Sequence, residues 1–565
     1  MKRAYRFTVA AVLAVAAMCA VYWQIGIFFE TNDDRIITET LSGAINHTPS
    51  AYVQVVSYLL SAPLAWLYRI AKEVPWYGLC LILFHVISYT AIFSGFLFRC
   101  SKRYEILLGV GLCIFIFSVD LYSIGLIQWT STAAILAIAG YAYLALEMDD
   151  RSVVVFAVLE LLGFLLRDKA MLMIQPLGAA VLFGFFLSKG GFREKKQCQM
   201  ILKWALALAS VILVGAMSRW IIYRSEEWKA ADKHFDACVT LADYYGMPSY
   251  DQVKDILDKY HGTETEYEGF SHWLLVGSNI NADCLEELAE YVENSHPVDI
   301  NVAVLLWDSV EKLIEPSLTC NRVAALLWIC TLLWMIFAKR KEMFLPALGL
   351  GVARTVVWCY LIYGGRMPNR VTYPLFFAEV VLLLVILLND YGKAELKIGW
   401  YKLAALCLCG IVAYSGFRTA VNQYRYVDTV NGSQSVYMLG YEDIKDYCRQ
   451  HPDNRYVLDT FSFNSYKGGA LESDLSEPWN GIFSGTWIDQ TPANKEYERE
   501  YMGGGWKNFY VIVYDDGQPT DVQMTNIAVR YFAEKSGVQP YLEDHITVAH
   551  GGSYLVWHFE GNGTD

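Results

Sequence analysis

Charge is scarce in this chain: Asp, Glu, Lys and Arg make up 18% of its 565 residues, against roughly 25% in soluble domains. Hydrophobic residues reach 55%. This excludes a single water-soluble domain and fits an integral membrane protein carrying soluble parts. Basic residues are fewer than acidic ones, and the net charge of −13 argues against nucleic acid as a partner. No Cys-x-x-Cys occurs, and Cys407-Leu-Cys409 sits in an apolar run without zinc-site spacing. Cys238, Cys284 and Cys320 lie outside the apolar runs without forming a disulfide framework. The P-loop pattern GxxxxGK(S/T), GxSxG, HExxH and the EF-hand loop are all missing, so the chemistries they serve are not indicated.

Long apolar runs are what the chain does have. The first, from the basic start to about Phe29, exceeds the ~7–15 residues of a signal-peptide core and has no small-residue cleavage site. Further runs lie near 75–98, 104–121, 126–146, 152–166, 169–188, 201–222, 321–338, 343–363, 371–389 and 402–418. They predict about 11 transmembrane helices, several shorter than the ~20 residues of an untilted span. The pair 152–166 and 169–188 is separated only by Arg167-Asp168-Lys169. With a cytoplasmic N-terminus, the inside loops carry Lys2/Arg3, Arg99/Lys102/Arg103, Lys189/Arg193/Lys195/Lys196, Lys339/Arg340/Lys341 and Lys393/Lys397/Lys402. Only Glu147–Arg151 breaks the pattern. The positive-inside rule then gives an N-in, C-out multi-pass protein of the cell membrane.

The outward segments under that topology are 30–74, 223–320 and the tail beyond 418. Residues 34–45 and 51–70 have helical apolar spacing and predict two helices at the membrane interface, with Tyr52, Tyr58, Trp66 and Tyr68 as anchors. The 223–320 loop is strongly acidic and reads as a solvated surface. The tail has strand signals at Arg455–Phe463, Asn508–Tyr514 and Ser553–Phe559. The expected architecture is therefore an α-helical polytopic membrane domain, 1–418, followed by an extracytoplasmic α/β domain, 419–565.

The chemistry-bearing residues concentrate at outer helix ends. Asp33 and Asp34 follow the first span in Phe29-Glu30-Thr31-Asn32-Asp33-Asp34-Arg35. A carboxylate there could take the proton of an acceptor hydroxyl, and its neighbour could hold a cation. The plainer alternative is a helix start, with Asn32 or Asp33 as N-cap. Asp120, ending the third span, faces the same side; it too could simply end a helix. Arg167, Arg366 and Arg370 lie at outer turns, and Arg354 falls inside an apolar run, where an ionisable residue is expensive. Their guanidinium forks match phosphate, although snorkelling to headgroups would also place arginines near the surface. Aromatic density over 478–514 could stack on sugars or fill a small core.

An acidic pair just after the first span, a second acid after the third span and a soluble outer domain after the last span resemble the GT-C fold membrane glycosyltransferases. That group includes protein O-mannosyltransferases, aminoarabinose transferases and bacterial surface-polysaccharide glucosyltransferases. The resemblance implies transfer of a sugar from a polyprenyl-phosphate donor to an extracytoplasmic glycan or protein. Asp33 or Asp34 would be the base, Asp120 would assist, and Arg167, Arg354, Arg366 and Arg370 would bind donor phosphate. Because the family varies in metal dependence, a divalent cation (Mg or Mn) on Asp34 and Asp120 is an option, not a requirement. Two alternatives stand beside it. One is a transporter or flippase of a glycan or lipid, with Arg354 and Asp120 lining a path. The other is a surface polysaccharide polymerase or ligase.

Overall fold

The computed structural model describes residues 3–98, 100, 102–295, 301–315, 317–337, 339–390, 399–503, 505–524, 526–549 and 552–561. Lys2, Arg99, Lys393 and Lys397, which entered the charge pattern, lie outside the described residues, as do the side chains of Arg103 and Lys402. The chain divides into two compact units. Unit 1 comprises Met1–Glu30, Gly78–Ser218 and Ile300–Gly432; unit 2 comprises Thr31–Tyr77, Arg219–Asp299 and Ser433–Asp565.

Unit 1 is helical. Eight helices of the described chain are long and apolar enough to cross a membrane, and Tyr104–Ser118 and Asn321–Phe337 are shorter apolar helices. The eight include Asp150–Ser188, whose 39 residues would span about 58 Å if straight, nearly twice a bilayer core. It is not straight. The backbone leaves helical geometry at Arg167 (φ −156°, ψ 99°), and Gln175 donates to Glu160 at 2.8 Å. Fifteen residues along a straight helix would separate that pair by about 22 Å. Residues 150–166 and 168–188 are thus a helical hairpin that turns at Arg167. Gly178 lets the second arm approach closely, because a Cβ there would lie 2.2 Å from the Tyr141 ring.

The loops of unit 1 sort onto two ends. At one end, Arg3 meets Asp149 at 2.7 Å and Arg6 meets Glu147 at 2.9 Å. Lys203 pairs with Asp150, Arg340 pairs with Asp390, and Asn389 donates to the Ala145 carbonyl. In the one loop that broke the basic pattern, Glu147 and Asp149 are therefore neutralised by the N-terminal arginines and Asp150 by Lys203. The other end is stitched by β1 (Phe28–Phe29) and β2 (Leu126–Ile127), which pair in parallel. There Asn431 donates to the carbonyls of Ile25 and Gly125, and Gln423 donates to those of Val119 and Leu318.

Unit 2 is mixed α/β. Its five-stranded sheet contains β3 (Tyr456–Asp459), β4 (Gly481–Ser484), β5 (Phe509–Tyr514), β6 (Tyr541–Thr547) and β7 (Ser553–Phe559), in the order β4-β3-β5-β7-β6. β3 runs parallel to β4 and β5, and β7 runs antiparallel to β5 and β6. Val457, Val511, Phe532 and Trp557 fill the core beside the sheet, while Leu257, Leu285 and Leu288 centre a second core from the acidic segment. Trp479 is buried and Trp506 packs on Phe509 and Phe532, so these aromatics form core. Cys238 and Cys284 share the second core, and all the cysteines are free thiols.

The expected interface helix at 34–45 is corrected here. Helix Asn32–Ser42 is buried from Asp34 through Ser42, leaving no face for headgroups. Its polar face meets protein: Arg35 donates to the Tyr466 carbonyl at 2.8 Å, and Glu39 accepts from the Tyr441 hydroxyl at 2.7 Å. Helix Tyr58–Ile70, by contrast, keeps Leu59, Trp66 and Ile70 exposed.

Candidate functional site

In unit 2 the acid pair opens helix Asn32–Ser42. Thr31, extended at φ −131° and ψ 157°, is the N-cap, so neither Asn32 nor Asp33 takes that place. Both aspartates lie in the first turn, where the helix dipole favours carboxylates. Their environments differ sharply. Asp34 is 0% exposed and accepts from the Tyr77 hydroxyl at 2.8 Å. Asp33 is half-buried, with the Thr31 hydroxyl 3.4 Å from its carboxylate.

In unit 1 a second acidic centre forms at the end that contains β1 and β2. Asp120, just past the apolar helix Arg103–Ser118, is buried and accepts from Tyr89 at 2.6 Å and Ser123 at 2.8 Å. Next to it, Tyr122 donates to Glu30 at 3.0 Å and stacks on Tyr373 with centroids 3.8 Å apart. Asn369 reaches the Tyr122 hydroxyl at 3.5 Å. Burial and the Glu30 charge raise the Tyr122 phenol well above its ordinary value. Tyr122 and Asn369 carried no sequence signal of their own, and Glu30 read as a bystander to the acid pair; a two-residue parallel bridge brings it to a loop about ninety residues away.

The arginines separate by environment. Arg167 sits at the hairpin turn with its guanidinium 4.1 Å from the centre of the Trp129 ring. Arg366 and Arg370 are half-buried and flank Asn369, at the Asp120 end. Arg354 is different: it is buried, and its Nε donates to Glu379 at 3.0 Å. Glu379 also accepts from the indoles of Trp328 and Trp358. A guanidinium neutralised in this way is a structural ion pair, and the phosphate-binding role expected for Arg354 is corrected accordingly.

The donors around Asp34 and Asp120 are hydroxyls, which suit a hydrogen-bonded carboxyl better than a cation. Among the described residues, Glu442, Glu472 and Asp474 form the acidic group with metal-like spacing, and it contains neither aspartate. Lys445 already pairs with Glu442 at 2.6 Å and donates to the Asp474 carbonyl. The chain matches no family model and no curated protein.

Proposed function

We propose that the chain is an integral membrane glycosyltransferase that moves a sugar from a polyprenyl-phosphate donor to an extracytoplasmic glycan or protein. The carrying observation is the division of roles within the acid pair: Asp34 is wholly buried on Tyr77 while its neighbour Asp33 stays accessible at a helix start. Asp33 is the base that takes the acceptor proton as the new glycosidic bond forms and the lipid phosphate departs. Asp34 is a positioning residue, holding the helix start through Tyr77. Within unit 1, Arg366, Arg370 and Arg167 carry the guanidiniums suited to a lipid phosphate. Asp120, buried and held by the Tyr89 and Ser123 hydroxyls, supports proton handling in unit 1.

The same reading places the basic end of unit 1 in the cytoplasm, with about eleven spans and the C-terminus outside. The pairing of Arg3 and Arg6 with Asp149 and Glu147 supports it by removing the one exception to the charge rule.

The test is Asp33→Asn and Asp34→Asn made separately, with sugar transfer from a polyprenyl-phosphate donor measured in membranes. Asp33→Asn is expected to lower transfer by about 10²–10⁴-fold. Asp34→Asn should keep measurable transfer, because an amide oxygen can still accept from Tyr77. Unchanged transfer in both variants sinks the assignment.

A further inference from the structure

A cavity of about 380 Å³ opens in unit 1 between the start of helix Asn321–Phe337 and helix Gly399–Gln450. Its size falls within the range of small-ligand sites. Its polar lining includes Arg322, Arg418, Ser317, Thr319, Thr419 and Asn422 and, among the described residues, no carboxylate. Two guanidiniums facing one cavity without a counter-charge repel each other, so an anion there gains from both.

The depth of the cavity selects the kind of anion. Arg322 follows the first residue of one apolar helix, and Arg418 ends the apolar run at 402–418 of the other. Below them the exposed residues are apolar: Ile329, Leu332 and Ile336 on the first helix, and Leu406, Ile411 and Tyr414 on the second. Guanidiniums at the head of two apolar faces stand where the phosphate of a membrane-inserted lipid sits, its chain running down those faces. Arginine suits that phosphate because its fork of donors engages two oxygens at once.

The walls are also fixed in place. Gln423, 0% exposed, donates to the Leu318 carbonyl at 3.0 Å and the Val119 carbonyl at 3.2 Å, and accepts from the Tyr122 amide. Asn321 donates to the carbonyls of Lys312 and Glu315, bracing the 312–321 turn. One side chain therefore ties the cavity wall to the loop carrying Asp120 and Tyr122.

We propose that this cavity binds the phosphate group of a membrane-inserted lipid, held by Arg322 and Arg418. The inference does not depend on sugar transfer, because binding is measured without turnover. Full-length protein would be reconstituted in phosphatidylcholine nanodiscs containing either a long-chain prenyl monophosphate or phosphatidylglycerol, and bound lipid counted by native mass spectrometry. Arg322→Gln with Arg418→Gln should lower occupancy by about tenfold or more, and the lipid that is lost identifies the source, prenyl phosphate or bilayer headgroup. The Lys pair at the same positions should be intermediate, keeping charge but losing the fork. Lys339→Gln with Lys341→Gln, at the opposite end of unit 1, should change nothing. A photoreactive prenyl phosphate should crosslink wild-type protein within 317–322 or 411–422, which needs no variant to fold. Unchanged occupancy in the glutamine pair, crosslinks confined to other segments, or inorganic phosphate displacing the lipid at equal concentration would each overturn the site.

Discussion

Replacing Arg35 by methionine tests whether the buried network, and not an amphipathic face on lipid, holds the acid pair's helix. Arg35 and Glu39 are each 1% exposed, with Nε and Oε2 3.9 Å apart. The guanidinium also lies within 5.6 Å of the Tyr441, Tyr466 and Phe483 ring centres. At that separation the attraction is about 4 kcal/mol for an effective dielectric of about 20. Removing one partner of a buried pair typically costs about 3–5 kcal/mol. The lower bound corresponds to roughly 6–12 °C in the unfolding midpoint of a mid-sized domain. The cost must also depend on pH. Burial raises the Glu39 carboxyl above its ordinary value of 4.5, and Arg35 and then Tyr441 oppose that rise. An acid raised in the folded state gives its full stability below the unfolded value and loses it as pH climbs through the folded one. Without Arg35 the rise is larger, so Arg35→Met should be mild near pH 5 and severe near pH 8. Adding Glu39→Gln removes the stranded charge, keeps an acceptor for Tyr441, and should restore most of the loss. The assay is site-resolved thiol labelling of the buried Cys448, Cys238 and Cys284 in full-length protein during a temperature ramp. A pH-independent effect, or no rescue by the double variant, refutes the reasoning.

Two further outcomes follow, one on topology and one on the buried Arg354 pair. In a background lacking the exposed native cysteines, Asp453→Cys should label in intact cells with an impermeant thiol reagent, and Lys196→Cys only after permeabilisation; the reverse pattern would invert the topology. Arg354→Gln should lower the unfolding midpoint in detergent by more than Arg354→Gln combined with Glu379→Gln, because the single change strands a buried carboxylate worth about 3–5 kcal/mol. Equal midpoints would return Arg354 to the phosphate-binding set.

The sequence carried the apolar helices well, because a run of about twenty apolar residues has few other uses. Even the hairpin turn was legible, as Arg167-Asp168-Lys169 interrupts two runs. Strands β3, β5 and β7 were visible as β-branched and aromatic stretches. Strand β6, reading Tyr-Leu-Glu-Asp-His-Ile-Thr on an exposed edge, and the four-residue β4 were not. The helix through residue 418 runs on to Gln450, since hydropathy marks where lipid ends and not where hydrogen bonding ends. The 34–45 segment misled for a related reason. Polar residues at helical spacing look the same whether they face headgroups or a buried network of Tyr441, Glu39 and Arg35, and the partners lie some four hundred residues away.

That limitation also explains which arginines sequence reasoning favoured. Arg354 drew notice because an ionisable residue within an apolar run is expensive, yet the expense is what requires a partner, and Glu379 with two indoles supplies it. Arg322 and Arg418 drew none, because arginine at a span's end is ordinary. The availability of a guanidinium for phosphate depends on the absence of a nearby carboxylate, which only the folded chain decides. The cavity that holds these two has no acid in its lining among the described residues. Gln423 joins its wall to the loop of Asp120, so a phosphate bound between the arginines would rest against the same rigid frame that sets the carboxyl in place.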